Sequence, residues 1–185
     1  MSVDSWFELS TTENGLFQLA GTPTSNYNLL LYGKALLARR SGQTIFFIDN
    51  HNVIDHDKLK NDLDNDTTLI RDFFLFTPKN LIELYSIIDD LELLYFQSAH
   101  KPVIFISGIF EFLLNKSTNN KSLTIMAHIL GLLKEFAVPV FVTNEMRSMP
   151  DFDVPFLSFY LPTFFSKVLI ISMKGKETEI LNYTY

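Results

Sequence analysis

The chain has no cysteine, a single tryptophan, and only seven glycines and seven prolines in 185 residues. Without cysteine there is no disulfide framework and no thiolate metal site, and the usage suits a reducing compartment. So little glycine and proline, beside 47% hydrophobic residues, excludes a disordered or low-complexity chain. Long hydrophobic runs are missing too. "PVIFISGIFEFLL" (102–114) falls short of the ~20 residues a membrane-spanning helix needs. The acidic start "MSVDSWFELS" lacks the basic and apolar regions of a signal peptide. A soluble intracellular protein without membrane contact is expected, cytoplasmic in a prokaryote and nuclear in a eukaryote. Clustered positive charge is also absent: the net charge is −6 and no basic pair stands out beyond Arg39–Arg40. Duplex binding by a protein's own surface needs a basic stripe. DNA is therefore expected to bind only weakly or through a partner.

What remains is an alternating pattern. Apolar, β-branched or aromatic runs predict strands at Leu16–Ala20, Thr44–Ile48, Arg71–Phe76, Val103–Ile106 and Val138–Thr143. Two more, Lys167–Met173 and Thr178–Tyr183, flank Lys174-Gly175-Lys176 and read as a terminal hairpin. Helical spacing of apolar residues appears over Ser25–Arg40, Pro78–Gln97 and Leu123–Phe136. The polar stretches 58–68 and 115–122 read as loops. Strands alternating with helices of this length predict one α/β domain over 1–185, a mostly parallel sheet with helices on both faces and an antiparallel hairpin at its edge.

The most informative stretch is "QLAGTPTSNYNLLLYGKALLA" (18–38), where an apolar strand runs through Gly21 and a Thr/Pro/Ser/Asn loop into a long helix. That is the layout of a phosphate loop. Further segments follow in order: "SGQTIFFIDNHNVI", "KPVIFISGIFEFLL", "LLKEFAVPVFVTNEM" and "SKVLIISMKGKETEI". Together they resemble the ATPase core of the RecA/RadA recombinases, and "VFVTNEM" is the most specific of them. The resemblance implies a RecA-like fold without the amino-terminal domain of full recombinases. It also fixes a register. The family's loop is glycine, four residues, then Gly-Lys-Ser/Thr, so from Gly21 the second glycine falls on Asn26, the lysine on Tyr27 and the Ser/Thr on Asn28. Ser107 stands where the family carries its magnesium-organising aspartate, His51 where the catalytic glutamate would be, and Glu145 where a glutamine senses nucleotide. The loop would lose the backbone freedom, the cation and the magnesium ligand that hold a triphosphate. The resemblance thus implies a non-catalytic paralogue with a degenerate loop and no cofactor, acting in recombination or repair through a recombinase or another RecA-like chain, as a homo- or hetero-oligomer. Two other readings stay open: a structural RecA-like subunit of another assembly, of the RNA-associated Elongator kind, and a nucleotide-binding protein using Gly21, Thr22 and Ser25 in a non-standard way.

Other signals have plainer readings. "DNHNVIDHD" (49–57) gathers two histidines and three aspartates, but its Asp and Asn residues suit turns and caps, and no metal site is expected. His100 and His128 read as structural. "FQLA" (17–20) matches the short Phe-x-x-Ala docking pattern of recombinases, yet it lies in a predicted strand and reads as core. The segment "MPDFDVPFLSFYLPTFF" (149–165) holds three prolines, five phenylalanines and two aspartates, with no lysine or arginine. It reads either as an irregular cover that finishes the core or as an aromatic surface for a protein partner, through Phe152, Phe156, Phe159, Tyr160 and Phe164. A single-strand DNA groove would add cations.

Overall fold

The structure, a computed structural model, describes residues 6–7, 10–22, 25–52, 54–97, 102–114, 120–148, 153–156, 164–174 and 177–183. Eight strands are present among them: β1 (Gly15–Gly21), β2 (Ile45–Asp49), β3 (Phe73–Phe76), β4 (Val103–Ser107), β5 (Pro139–Ser148), β6 (Asp153–Pro155), β7 (Lys167–Lys174) and β8 (Glu177–Tyr183). Their order across the sheet is β3-β2-β4-β5-β1-β7-β8, with β6 paired to β5. Every neighbour pair from β3 to β7 is parallel. β8 lies at the edge, antiparallel to β7.

Parallel strands buried on both sides need continuous apolar sequence rather than alternation. β2 (IFFID) and β4 (VIFIS) are buried at every position. Their odd and even side chains feed two separate cores. On one face lies α1 (Tyr27–Arg40), whose buried Leu31, Tyr32, Ala35 and Ala38 follow the 3–4 spacing of an amphipathic helix. Here five phenylalanines stand side by side on five adjacent strands. The ring centroids are 6.1 Å apart for Phe73–Phe47, 6.2 Å for Phe47–Phe105, 5.3 Å for Phe105–Phe141 and 5.0 Å for Phe141–Phe17. Offset stacks at such distances add to plain area burial. Trp6, fully buried, meets Phe141 edge-on at 5.6 Å and holds the amino-terminal segment onto this face. "FQLA" is core as expected, with all four residues buried.

The other face is covered by α4 (Leu81–Gln97) and α6 (Asn120–Glu135), which pack Leu84, Ile88, Met126, Ile129 and Leu133 over Ile48, Ile104 and Val142. Three short helices complete the chain: α2 (His56–Asp62), α3 (Thr67–Arg71) and α5 (Glu111–Leu114).

Several boundaries differ from the pattern-based expectation. Residues 58–68 are not a loop: they hold most of α2 and the start of α3. Asp55 caps the first by accepting from the Lys58 amide at 2.6 Å, and Asp66 caps the second by accepting from the Thr68 amide at 2.8 Å. The loop assigned to 115–122 ends early, because α6 starts at Asn120. β5 runs to Ser148, five residues past Thr143, because β6 pairs with its extension. Among the described residues no helix is long and apolar enough to cross a membrane.

Candidate functional site

The site lies where the carboxyl ends of β1, β2, β4 and β5 meet the amino end of α1, the place where open parallel sheets hold ligands. Gly21 ends β1, and Ser25 folds back on the loop that follows. Its amide and its hydroxyl both donate to the Thr22 carbonyl, at 2.9 and 2.7 Å. A Cβ on Gly21 would stand 2.3 Å from the Ser25 hydroxyl and 2.9 Å from the Tyr27 ring. Ser25 and Tyr27 thus pack closely against the Gly21 backbone. Asn26, the cap of α1, sits in the left-handed region at φ 52°, and its side chain makes no capping bond.

Tyr27 and Asn28 turn away from loop chemistry and into packing. Tyr27 is buried, and its hydroxyl is pushed up to about 12, first by burial and then by the charges of Glu145 and Glu111. Asn28 accepts a short hydrogen bond from the Thr143 hydroxyl. Thr143 in turn accepts from the Gly108 amide at 2.7 Å. A side chain where the resemblance expects a magnesium ligand is therefore joined to the end of β5. Ser107 behaves likewise. Its hydroxyl donates to Asp49 Oδ1 at 2.7 Å, and Asp49 Oδ2 accepts from the Ile54 amide at 2.8 Å. Asp49 is a buried brace between two strand ends.

His51 stands beside Glu111, Nδ1 to Oε2 being 3.5 Å. Its Nε2 is buried without a partner, as is the Asn50 side-chain oxygen, although Asn50 donates to the Gly108 carbonyl at 3.1 Å. Gly108 has φ +60°, and a Cβ there would lie 2.2 Å from His51 Nε2. Only glycine meets both demands. Around these groups is a cavity of about 420 Å³ lined by Asn26, Tyr27, Asn28, Leu29, His51, Glu111 and Glu145. Among the described residues, its lining carries two carboxylates and neither lysine nor arginine. Among the described residues, no three histidine, aspartate or glutamate side chains converge as a metal site.

Of the residues the resemblance singled out, the fold sets Asn26, Tyr27, Asn28, His51 and Glu145 around one space, and Ser107 is bonded to Asp49. Glu111 and Asp49 were missed. Nothing in "GIFEFLL" marks Glu111, because its position depends on the turn at Gly108. Of the aromatic segment, Phe156 and Phe164 are half-buried and pack on the core under α4 and α6. The Phe156 amide donates to the Glu145 carbonyl, and its own carbonyl accepts from Asn144 Nδ2, both at 2.9 Å. Phe152, Phe159 and Tyr160 lie outside the described residues, as does His100. His128, expected to be structural, is exposed on α6.

A scan against protein-family models and a search of curated proteins found no match. Among solved structures, the fold is similar to that of a RadB recombinase, with a TM-score of 0.70 over 98% of this chain and 86% of that one. The fold is a RecA-like core. Sequence identity is 18%, so the likeness is one of architecture. The parallel sheet and its helices share a RecA-like architecture.

Proposed function

We propose that this protein is a non-catalytic RecA-like paralogue, an accessory protein of homologous recombination or DNA repair that acts through contacts with a recombinase or another RecA-like chain. The carrying observation is the strand-end cavity, in which Glu111 and Glu145 flank the space that the resemblance assigns to a triphosphate. Carboxylates facing a polyanion repel it, and the described lining carries no lysine or arginine. Crowding of Gly21 by Ser25 and Tyr27 supports the same reading, because a phosphate cradle needs free backbone amides around an open concavity. DNA contact is supplied by the partner, in keeping with the net charge of −6.

Two measurements on the intact protein test this. Calorimetric titration with magnesium–ATP to millimolar concentration is expected to be flat, with no turnover. Saturable binding that is lost in Gly21→Arg would instead establish a non-standard nucleotide site and overturn the reading. Affinity capture from the native extract, with nuclease present, is expected to recover a recombinase or a RecA-like paralogue. Recovery of a transfer-RNA-associated assembly in its place would move the protein to the structural-subunit class.

A further inference from the structure

Outside the strand-end site, the most developed concave surface runs along α6. Two cavities flank its outer face. One of about 310 Å³ is lined by Ile82, Tyr85, Thr124, Ile125 and His128. The other, about 540 Å³, includes Thr124, His128, Gly131, Leu132 and Glu135. Lys121, Thr124, His128 and Glu135 are exposed, and Ile125, Gly131 and Leu132 are half-buried between them. Ile82 of α4 stands 68% exposed beside the first cavity. A Cβ on Gly131 would meet nothing within 4 Å, so the helix surface is open there.

These positions recur at spacings of three and four, the seam through which one helix meets another. We propose that this face binds a second copy of the chain, α6 against α6, antiparallel about a two-fold axis at His128. A two-fold contact requires that residue i meet j and j meet i. About His128, Lys121 then lies opposite Glu135 at both ends of the pair. Ile125 lies opposite Gly131, so a branched side chain enters the open surface over a glycine. Thr124 lies opposite Leu132. Both charged ends are complementary and the bulky residue meets the bare one. Parallel pairing would instead set lysine against lysine and glutamate against glutamate. The 16-residue helix is about 24 Å long. A contact built on it with Ile82 at its margin belongs to the small, weak class of interfaces, with dissociation in the micromolar range. This inference stands apart from the function proposed above and concerns the opposite face of the sheet from α1.

The test is sedimentation equilibrium of the full chain from about 1 to 100 µM. A concentration-dependent monomer–dimer equilibrium is expected. Lys121→Glu and Glu135→Lys should each weaken the dimer about fivefold or more, and the double exchange should restore it, since it swaps both ends of a complementary pair. Gly131→Arg should abolish the dimer while leaving the monomer folded, because arginine favours helix over glycine and meets open space. A monomer at every concentration would overturn the proposal. So would a dimer indifferent to Gly131→Arg, or single exchanges that the double exchange fails to rescue.

Discussion

The two ends of α1 carry polar side chains of opposite character. Under its middle and carboxyl end, Lys34 and Arg39 are buried cations whose donors are aimed at fixed acceptors. Arg39 donates to the Leu69, Gln43 and Thr68 carbonyls at 2.8, 2.9 and 2.8 Å and pairs with Asp72 at 3.2 Å. Lys34 Nζ donates to the Trp6 carbonyl at 2.8 Å and lies 5.0 Å from the centre of the Phe141 ring. At the amino end, Asn26, Tyr27 and Asn28 border a cavity in which His51 Nε2 and the Asn50 oxygen have no partner. An orphaned buried polar group costs about 1–3 kcal/mol, and the Gln43 oxygen near the carboxyl end of α1 and both polar atoms of Gln18 in β1 are orphaned as well. The carboxyl end is a tie. The amino end is an open cavity bordered by polar side chains.

If the tie is structural, breaking it should cost more than any change at the site. Arg39→Met leaves three carbonyls without their donor and Asp72 without its buried partner. It should lower unfolding free energy by roughly 3 kcal/mol, read from urea denaturation. Asn28→Ala, which removes the acceptor of the Thr143 hydroxyl and a side-chain contact with Tyr27, should cost only about 1 kcal/mol. An equal cost for the two would erase the distinction.

Lys34 sharpens it through pH. Burial pushes its ammonium down from the ordinary 10.5 to about 8. Between those values the unfolded chain holds a proton that the folded chain has released, so stability should rise with pH across the window. The expected gain from pH 8 to pH 10 is on the order of 2 kcal/mol, and Lys34→Met should flatten it. Burial and carboxylate neighbours push the Tyr27 and Tyr32 hydroxyls up, so their ionisation opposes folding only above about pH 10. A flat wild-type profile below that pH would show that the Lys34 amine is as well solvated as in the open chain.

Legibility from sequence divides along similar lines. β2 and β4 were readable because strands buried on both faces must be apolar throughout, and α1, α4 and α6 because one face of each repeats at three and four. α2 and α3 were not, since "KLKNDLDNDTT" offers only two buried leucines, Leu59 and Leu63, and its helices depend on the caps at Asp55 and Asp66. The five-phenylalanine stack was equally hidden, because it exists only once the strand order is known. At the site, the register from Gly21 singled out Asn26, Tyr27 and Asn28, which the fold sets on the lining of one cavity. Bonds that span the chain, such as Ser107 to Asp49 and Asn28 to Thr143, required the fold.

The smallest effect is expected from the most direct repair. Asn26→Gly, Tyr27→Lys and Asn28→Thr together rebuild the sequence of a phosphate loop, yet the protein should show no ATP turnover above background. The lysine would enter a space between Glu111 and Glu145, where the nearer carboxylates compete with phosphate for its charge. Thr143 would lose the Asn28 acceptor but keep the Gly108 amide. Ser107 would still be bonded to Asp49, and His51 would still stand where the resemblance expects a water-activating carboxylate. Phosphoryl transfer depends on positioning and charge from all of these groups at once. Turnover by the triple variant, measured as phosphate release under saturating magnesium–ATP, would mean that the frame alone supplies more of the chemistry than its present side chains suggest. Absence of turnover with weak ATP binding would instead separate the loop, which holds nucleotide, from the strand ends, which must act on it.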